Sequence, residues 1–170
     1  LYSRGRGTVE EDRIAWETMM ISRDGSRRVS EFAFRVAERR AKMRRRPGKV
    51  TCVDKANVRL SLAFFRRVFS EVAASHPGVR TDCAYVDATA MNLIRSPWDF
   101  DVLVTENAFG GILSDLAAGL IGSLGLVPSA DIGDQHAVFQ PAHGSAPDIA
   151  GQGIANPVAQ ILSAALMLDW

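Results

Sequence analysis

His143-Gly144-Ser145-Ala146-Pro147-Asp148-Ile149-Ala150-Gly151-Gln152-Gly153-Ile154-Ala155-Asn156-Pro157 is the stretch from which the rest of the chain is read. Its three glycines permit a close backbone approach, Pro147 blocks regular structure, and Asn156-Pro157 reads as an N-cap followed by proline at the first helical position. That combination describes a polar loop leading into a helix start, a form suited to holding a ligand. The same residues also suit a surface turn in which Asp148 and Asn156 cap their own backbone. Beyond Pro157, the apolar positions Val158, Ile161, Leu162, Ala165 and Leu168 form one helical stripe.

Around this loop the composition is that of a folded domain. With 170 residues, 47% hydrophobic and 23% charged, the chain can bury a sizeable core. Its 20 basic and 19 acidic residues leave a net charge of +1, so no general field favours nucleic acid. No segment reaches the roughly 18 to 20 uninterrupted apolar residues that cross a bilayer, and the first residues are not a signal peptide. A soluble, cytoplasmic protein with no membrane partner is expected. Cys52 and Cys83 have no CxxC spacing and no nearby histidine to complete a zinc site, so reduced thiols are expected. The chain opens without Met at Leu1-Tyr2-Ser3 and stops at Asp169-Trp170 inside an apolar helical pattern, which leads to the expectation of a piece lacking both ends.

In order along the chain, Val9, Ile14, Trp16, Thr18 and Met20 alternate with charged residues over positions 8 to 22. This reads as extended structure with one buried face, followed by a turn at Asp24-Gly25. Ser30 reads as the start of a helix, with Phe32, Val36 and Ala37 on its apolar face and Pro47-Gly48 as its stop. The basic run over positions 39 to 49 has no interleaved aromatic residues. It reads as a solvated helix end complementing the dipole rather than as a nucleic-acid surface. Lys49-Val50-Thr51-Cys52-Val53 is a short buried strand of the parallel type, ending at Asp54-Lys55-Ala56-Asn57-Val58. A helix over 59 to 75 carries Leu62, Phe65, Phe69 and Val72 on one stripe. Then come a strand over 79 to 86, a helix over 88 to 94 with Asp87 as its N-cap, and a third strand over 101 to 105.

This is an α/β pattern, and ligand groups in open α/β sheets collect at the carboxyl ends of the strands, where Lys55 and Asn57 fall. On the residues alone, Lys55 is equally an exposed loop lysine, Asp87 a helix cap, Asp115 a solvated helical residue and Tyr2 an ordinary amphipathic tyrosine.

Three motifs narrow these readings together: the loop over 143 to 157, the Lys-x-Asn at Lys55 and Asn57, and the Val-Asp-x-x-x-Met from Val86 to Met91. They resemble those of the β-decarboxylating dehydrogenases, the family of isopropylmalate, isocitrate, homoisocitrate and tartrate dehydrogenases. The resemblance covers nearly all of the chain and about the middle half of a complete enzyme. It implies an isopropylmalate dehydrogenase-like two-domain α/β fold, incomplete here and not a classical Rossmann fold. Residues 1 to 121 would form most of the smaller dimerisation domain, with an arm at about 8 to 22 pairing with a second subunit. Residues 122 to 170 would form part of the larger, cofactor-binding domain.

For the site, the resemblance implies NAD as cofactor. His143 and Asn156 would flank the adenine, the backbone of Gly144, Ser145 and Ala146 would meet the cofactor, and Asn57 would lie near the nicotinamide. Asp148 would accept hydrogen bonds from the adenosine ribose hydroxyls and repel a 2′-phosphate. Beside it stands Ile149, where NADP-using relatives tend to carry Lys-Tyr. Lys55 would handle the proton of the substrate hydroxyl, a role that suits a lysine whose burial or neighbouring cation favours the neutral amine. Tyr2 would supply a proton in the decarboxylation half-reaction. Asp87, contributed to the partner subunit, and Asp115 would hold Mg2+ or Mn2+, which stabilises the keto oxygen as CO2 leaves. The implied substrate is a hydroxy-dicarboxylate. A 3-substituted malate such as 3-isopropylmalate, of leucine biosynthesis, is favoured because residues 53 to 58 and 147 to 151 look closest to that branch.

One position departs from the resemblance. Relatives usually read Phe-Gly-Asp-Ile-Leu-Ser-Asp where this chain has Phe109-Gly110-Gly111-Ile112-Leu113-Ser114-Asp115, so Gly111 replaces a carboxylate four residues before Asp115. Weaker metal binding follows, and a catalytically impaired or regulatory homologue is the alternative reading. Gln140 also stands where relatives commonly have an acidic residue.

Overall fold

The chain turns back on itself at Glu11 and Asp12, both left-handed with φ of 48° and 57°. The turn joins β1 (Thr8–Glu10) to β2 (Ile14–Trp16) in an antiparallel hairpin. The computed structural model describes residues 7–170; Tyr2 falls outside them. The one-sided burial expected over positions 8 to 22 is absent within the chain. Every residue of both strands is exposed, Trp16 included, because a two-stranded ribbon has no second layer to pack on.

α1 (Arg23–Arg44) starts a full two turns before the expected Ser30. Its N-cap is Ser22, extended at φ −96°, whose hydroxyl accepts from the Gly25 N–H at 3.2 Å. Asp24 sits in the first turn, where a negative charge suits the helix dipole, so Asp24-Gly25 is helical rather than a turn. Ser30 is a buried interior residue whose hydroxyl donates back to the Ser26 carbonyl at 2.7 Å. With the earlier start, the inward face is Ser26, Ser30, Ala33, Phe34 and Ala37, spaced four, three, one and three apart. Phe32, expected inside, is exposed. Arg45 closes the helix in the left-handed conformation, φ 54°, just before Pro47. At Gly48 a Cβ would come within 2.6 Å of the Ala37 carbonyl oxygen, so only glycine lets the chain pass this close under α1. The basic run at this helix end is partly neutralised: Arg40 and Arg44 both reach Oδ1 of Asp101, at 3.3 and 3.0 Å.

β3 (Lys49–Asp54) is apolar enough to be buried from both faces, and it lies between β4 (Arg80–Tyr85) and β5 (Val102–Thr105) in a three-stranded parallel sheet. Parallel neighbours need crossovers, supplied here by α2 (Leu60–Ala73) between β3 and β4 and by α3 (Val86–Arg95) between β4 and β5. The α2 stripe of Leu62, Phe65, Phe69 and Val72 is buried as its spacing predicts. Phe65, Phe69 and Val72 join Phe34, Ala37, Val50, Cys52 and Val104 in one core, where Phe34 and Phe69 stack at 5.6 Å. His76, just past α2, stacks on Phe34 at 4.7 Å and meets Glu38 Oε1 at 2.7 Å. α3 begins two residues before expectation: its N-cap is Tyr85, with φ −80° and ψ 145°, and Asp87 lies inside the first turn rather than capping it.

Within α4 (Asn107–Ile121) the backbone contacts divide the chain, one unit running to Gly111 and the second from Ile112 to Trp170. In the second unit, β6 (Pro128–Ile132) pairs antiparallel with β7 (Ala137–Pro141), and α5 (Val158–Asp169) packs on both. α5 turns Ala159 and Ser163 inward, and their small side chains let the helix lie close on the strands. The expected apolar stripe is therefore outward: Val158, Ile161, Leu162, Ala165 and Leu168 are all exposed. Among the described residues no helix is long and apolar enough to cross a membrane.

Candidate active site

The carboxyl end of β3 delivers a carboxylate to a place with no access to water. Asp54 is fully buried, and a buried charge has to be paired. Its Oδ2 accepts from Arg66 Nε at 2.7 Å and its Oδ1 from Arg66 Nη2 at 2.7 Å, with a third bond from the Ala56 N–H at 2.8 Å. This two-pronged grip, the largest cause, pushes the Arg66 guanidinium further above its already high pKa. The bond to Ala56 sets the turn that follows, in which the N–H groups of Val58 and Arg59 both donate to the Lys55 carbonyl at 3.0 Å.

That turn presents Lys55. Its side chain is one-quarter exposed, and Nζ lies 2.7 Å from Oδ2 of Asp87 in the first turn of α3. The hydrogen bond from Lys55 is the main cause that lowers the Asp87 carboxyl below its ordinary range; slight burial opposes it, and its own backbone N–H helps. Lys55 Nζ also sits 5.5 Å from the centre of the Tyr85 ring, which lies 5.1 Å from the Arg66 guanidinium carbon. Two of the residues expected in the site, Lys55 and Asp87, thus meet although 32 positions separate them in the sequence (87 − 55). Asn57 is exposed on the same turn. The charged neighbour of Lys55 is an anion, not the cation expected to favour a neutral amine.

Two members of this cluster were missed. Asp54 ends an otherwise apolar strand, and a carboxylate at such a position requires a cation. Arg66 lies on α2 beside the buried Phe65, which was the available signal for that cation. Glu106 was also passed over: it caps α4, its Oε2 accepting from the Ala108 N–H at 2.9 Å and its Oε1 from the Phe109 N–H at 2.7 Å.

In the second unit, the loop after β7 is exposed from His143 through Asp148. His143 Nδ1 is 2.8 Å from the Gly144 carbonyl oxygen, and Ala146 is left-handed at φ 44°. A short 3-10 turn, Pro147–Ile149, follows, and Gln152 Nε2 donates to the Asp148 carbonyl at 2.8 Å, so the Asp148 backbone is fixed while its carboxylate stays exposed. Gly151 and Gly153 have φ of 76° and 68°, values that only glycine adopts readily. Asn156 Oδ1 accepts from the Val158 N–H at 3.0 Å, but the helix begins one residue later than expected, so Pro157 is its N-cap and Asn156 stands one position before it.

An exposed carboxylate, an exposed imidazole and open space where a Cβ on Gly144 would project fit a dinucleotide's polar half. The donor set for a metal is thinner. Among the described residues no three His, Cys, Asp or Glu side chains group to hold an ion, Asp87 is occupied by Lys55, and Asp115 is exposed on α4. The two carboxylates are hard oxygen ligands of the kind Mg2+ and Mn2+ take, but within the chain they do not make a complete site.

Comparison with known proteins bears on both halves of the chain. A family model described as isocitrate/isopropylmalate dehydrogenase matches residues 2–170. The 3-isopropylmalate dehydrogenase of Aquifex aeolicus is 48% identical over 171 aligned positions, which cover 99% of this chain and 45% of that protein. The homoisocitrate dehydrogenase of Methanocaldococcus jannaschii is 51% identical over 167 positions, covering 98% of this chain and 46% of that protein. Among solved structures, a β-decarboxylating dehydrogenase from Thermococcus kodakarensis in its apo form superposes with a TM-score of 0.84 at 45% identity, covering 96% of this chain and 47% of that one. An isocitrate dehydrogenase from Methylococcus capsulatus gives the same TM-score, 0.84, at 45% identity, with 95% and 47% covered. The chain spans about half the length of the curated relatives it matches.

Proposed function

Because this chain belongs to the isocitrate/isopropylmalate dehydrogenase family, we propose that the intact protein is an NAD-dependent dehydrogenase that oxidatively decarboxylates a 3-substituted malate such as 3-isopropylmalate. The observation that carries this reading is the Lys55–Asp87 pair, 2.7 Å apart at the carboxyl end of a parallel sheet. When bound, NAD takes up hydride and a divalent cation polarises the keto oxygen.

This chain's residues divide the remaining work. Lys55 takes the proton from the substrate hydroxyl at Nζ. Asp87 accepts one N–H of Nζ, which fixes the direction of the Lys55 side chain. Tyr2 returns a proton to the substrate carbon after CO2 has left. Asp148 holds the adenosine ribose, with His143, Gly144, Ser145, Ala146, Ile149 and Asn156 lining the adenosine half and Asn57 the nicotinamide half. Asp115 would supply a carboxylate to the cation, and Asp87 would be contributed to the cation site of the partner subunit. Residues 1 to 121 contribute to the smaller domain and 122 to 170 to the larger, cofactor-binding one. The wholly exposed hairpin with Trp16 supports a homodimer in which this arm is covered by its counterpart.

The test is turnover by the intact protein with NAD, Mn2+ and each of 3-isopropylmalate, isocitrate and tartrate, followed by NADH absorbance and released CO2. Activity on 3-isopropylmalate that disappears in Lys55→Met, with NAD binding unchanged, supports the assignment. A folded protein that turns over none of the three overturns it and favours the second reading, a regulatory homologue, for which Gly111 is the specific observation.

A further inference from the structure

Cys52 and Cys83, thirty-one residues apart in the sequence (83 − 52), are register partners on neighbouring parallel strands. Partners in such a ladder project to the same face. Cys52 is wholly buried on the central strand and Cys83 is exposed on its neighbour. One step further along the same face, Asp54 and Tyr85 are opposed in the same way, with Arg66 bonded to Asp54 and set over the Tyr85 ring. Each thiol therefore has a distinct setting. Cys83 is reachable from solvent and near a guanidinium. Cys52 is enclosed, its Sγ 3.7 Å from Oδ2 of Asp54.

We propose that Cys83 and Cys52 form an oxidant-sensitive dithiol, in which Cys83 meets the oxidant and Cys52 closes a disulfide with it. The electrostatics agree with that division. The Cys83 thiol is lowered to about 7, first by the neighbouring Cys52 thiol and then by the Arg66 charge, against burial and the carboxylates of Asp54 and Asp82. The Cys52 thiol is pushed up by the neighbouring Cys83 and by burial, and so stays protonated.

The oxidant is a hydroperoxide. The Cys83 thiolate attacks its O–O bond: an S–O bond forms, the O–O bond breaks, and the departing oxygen takes a proton and leaves as water or alcohol, giving a sulfenic acid. The Cys52 sulfur then attacks the Cys83 sulfur. An S–S bond forms, the S–O bond breaks, and hydroxide leaves with the Cys52 proton as water, so the peroxide is reduced by the two electrons the thiols lose. Adjacent strands lie about 4.7 to 4.9 Å apart, inside the roughly 4.4 to 6.8 Å between Cα atoms that disulfides span. The disulfide removes the Cys52 S–H that faces Asp54, and it ties β4 to β3 just before Lys55 and Asp87.

The experiment uses the intact protein. It is treated with hydrogen peroxide, its free thiols are blocked with N-ethylmaleimide, and it is digested with trypsin without reductant. The expected product links the peptide of residues 50 to 55 to that of residues 81 to 95, lighter than their sum by two hydrogen atoms and separated again by dithiothreitol. In Cys52→Ser the oxidation should halt at a Cys83 sulfenic acid trapped by dimedone. In untreated protein, iodoacetamide should label Cys83 at least ten-fold faster than Cys52. Maleimide on both cysteines after peroxide, or Cys83 linked to any cysteine other than Cys52, overturns the proposal. The wild-type peptide map decides the matter even if Cys52→Ser fails to fold.

Discussion

Arg66 holds both carboxylate oxygens of Asp54 at 2.7 Å while Asp54 has no exposure to solvent. A buried ion pair of this kind adds little net stability when replaced whole by apolar residues, yet losing one partner strands the other's charge. Asp54→Asn should therefore cost about 3 to 5 kcal/mol, and Asp54→Leu combined with Arg66→Met should recover most of it. Urea midpoints for the three proteins give the comparison; a double variant no better than the single one would contradict this account.

The exposed Asp148 carboxylate predicts cofactor choice. The intact protein should bind NAD at least ten-fold tighter than NADP, about 1.4 kcal/mol, and Asp148→Ser should narrow the gap. Calorimetric titration with both cofactors measures this. Equal affinities in the natural protein would remove Asp148 from the ribose.

At Gly111 a Cβ would meet nothing within 4 Å, so a carboxylate can be introduced without a clash. Gly111 lies inside α4, where aspartate has better helix propensity than glycine by about a few tenths of a kcal/mol. Gly111→Asp should leave the fold at least as stable and tighten Mn2+ binding by about ten-fold or more. Metal titration alongside thermal melts tests both halves. Unchanged metal affinity in a stable variant would favour the regulatory reading of the protein.

The depressed Asp87 carboxyl has a definite pH signature. Because its pKa in the folded protein lies below the unfolded value of 3.8, the Lys55–Asp87 pair contributes stability that is fully present above that value. The contribution fades as pH falls through the lower, folded value. The stability difference between the natural protein and Asp87→Asn should be constant above about pH 5 and shrink toward pH 2. A difference that does not narrow on acidification would mean that the pair does not form in solution.

A shared site in a homodimer predicts complementation. Intact Lys55→Ala and Tyr2→Phe proteins, each nearly inactive, should regain part of the activity after their subunits exchange. Mixed dimers verified by mass spectrometry but still inactive would place both residues in one subunit's site.

Much of this architecture is visible in the sequence where a pattern repeats. The α2 stripe and the two apolar parallel strands, β3 and β5, follow from spacing and composition, because burial selects the same side chains again and again. α1 was misplaced because its inward face uses Ser26, Ser30 and two alanines beside a single Phe34, and small residues leave no apolar signal even when wholly buried. The outward turn of α5 has the same origin in Ala159 and Ser163. Lys55 and Asp87 stand out through motifs, whereas their supports Asp54 and Arg66 are joined by tertiary packing alone, which no local pattern encodes.

β3 is hydrogen-bonded along both sides, to β4 and to β5, whereas among the described residues β4 presents an edge. Amide hydrogens on β3 should then exchange with deuterium only when the whole sheet opens, and those on the outer side of β4 should exchange through smaller fluctuations. Arg80 donates its N–H to the Gly48 carbonyl, so by alternation the Cys83 N–H points outward; Cys52 and Cys83 are paired in the ladder, yet their amides keep time differently, one reporting the life of the fold and the other the breathing of its rim.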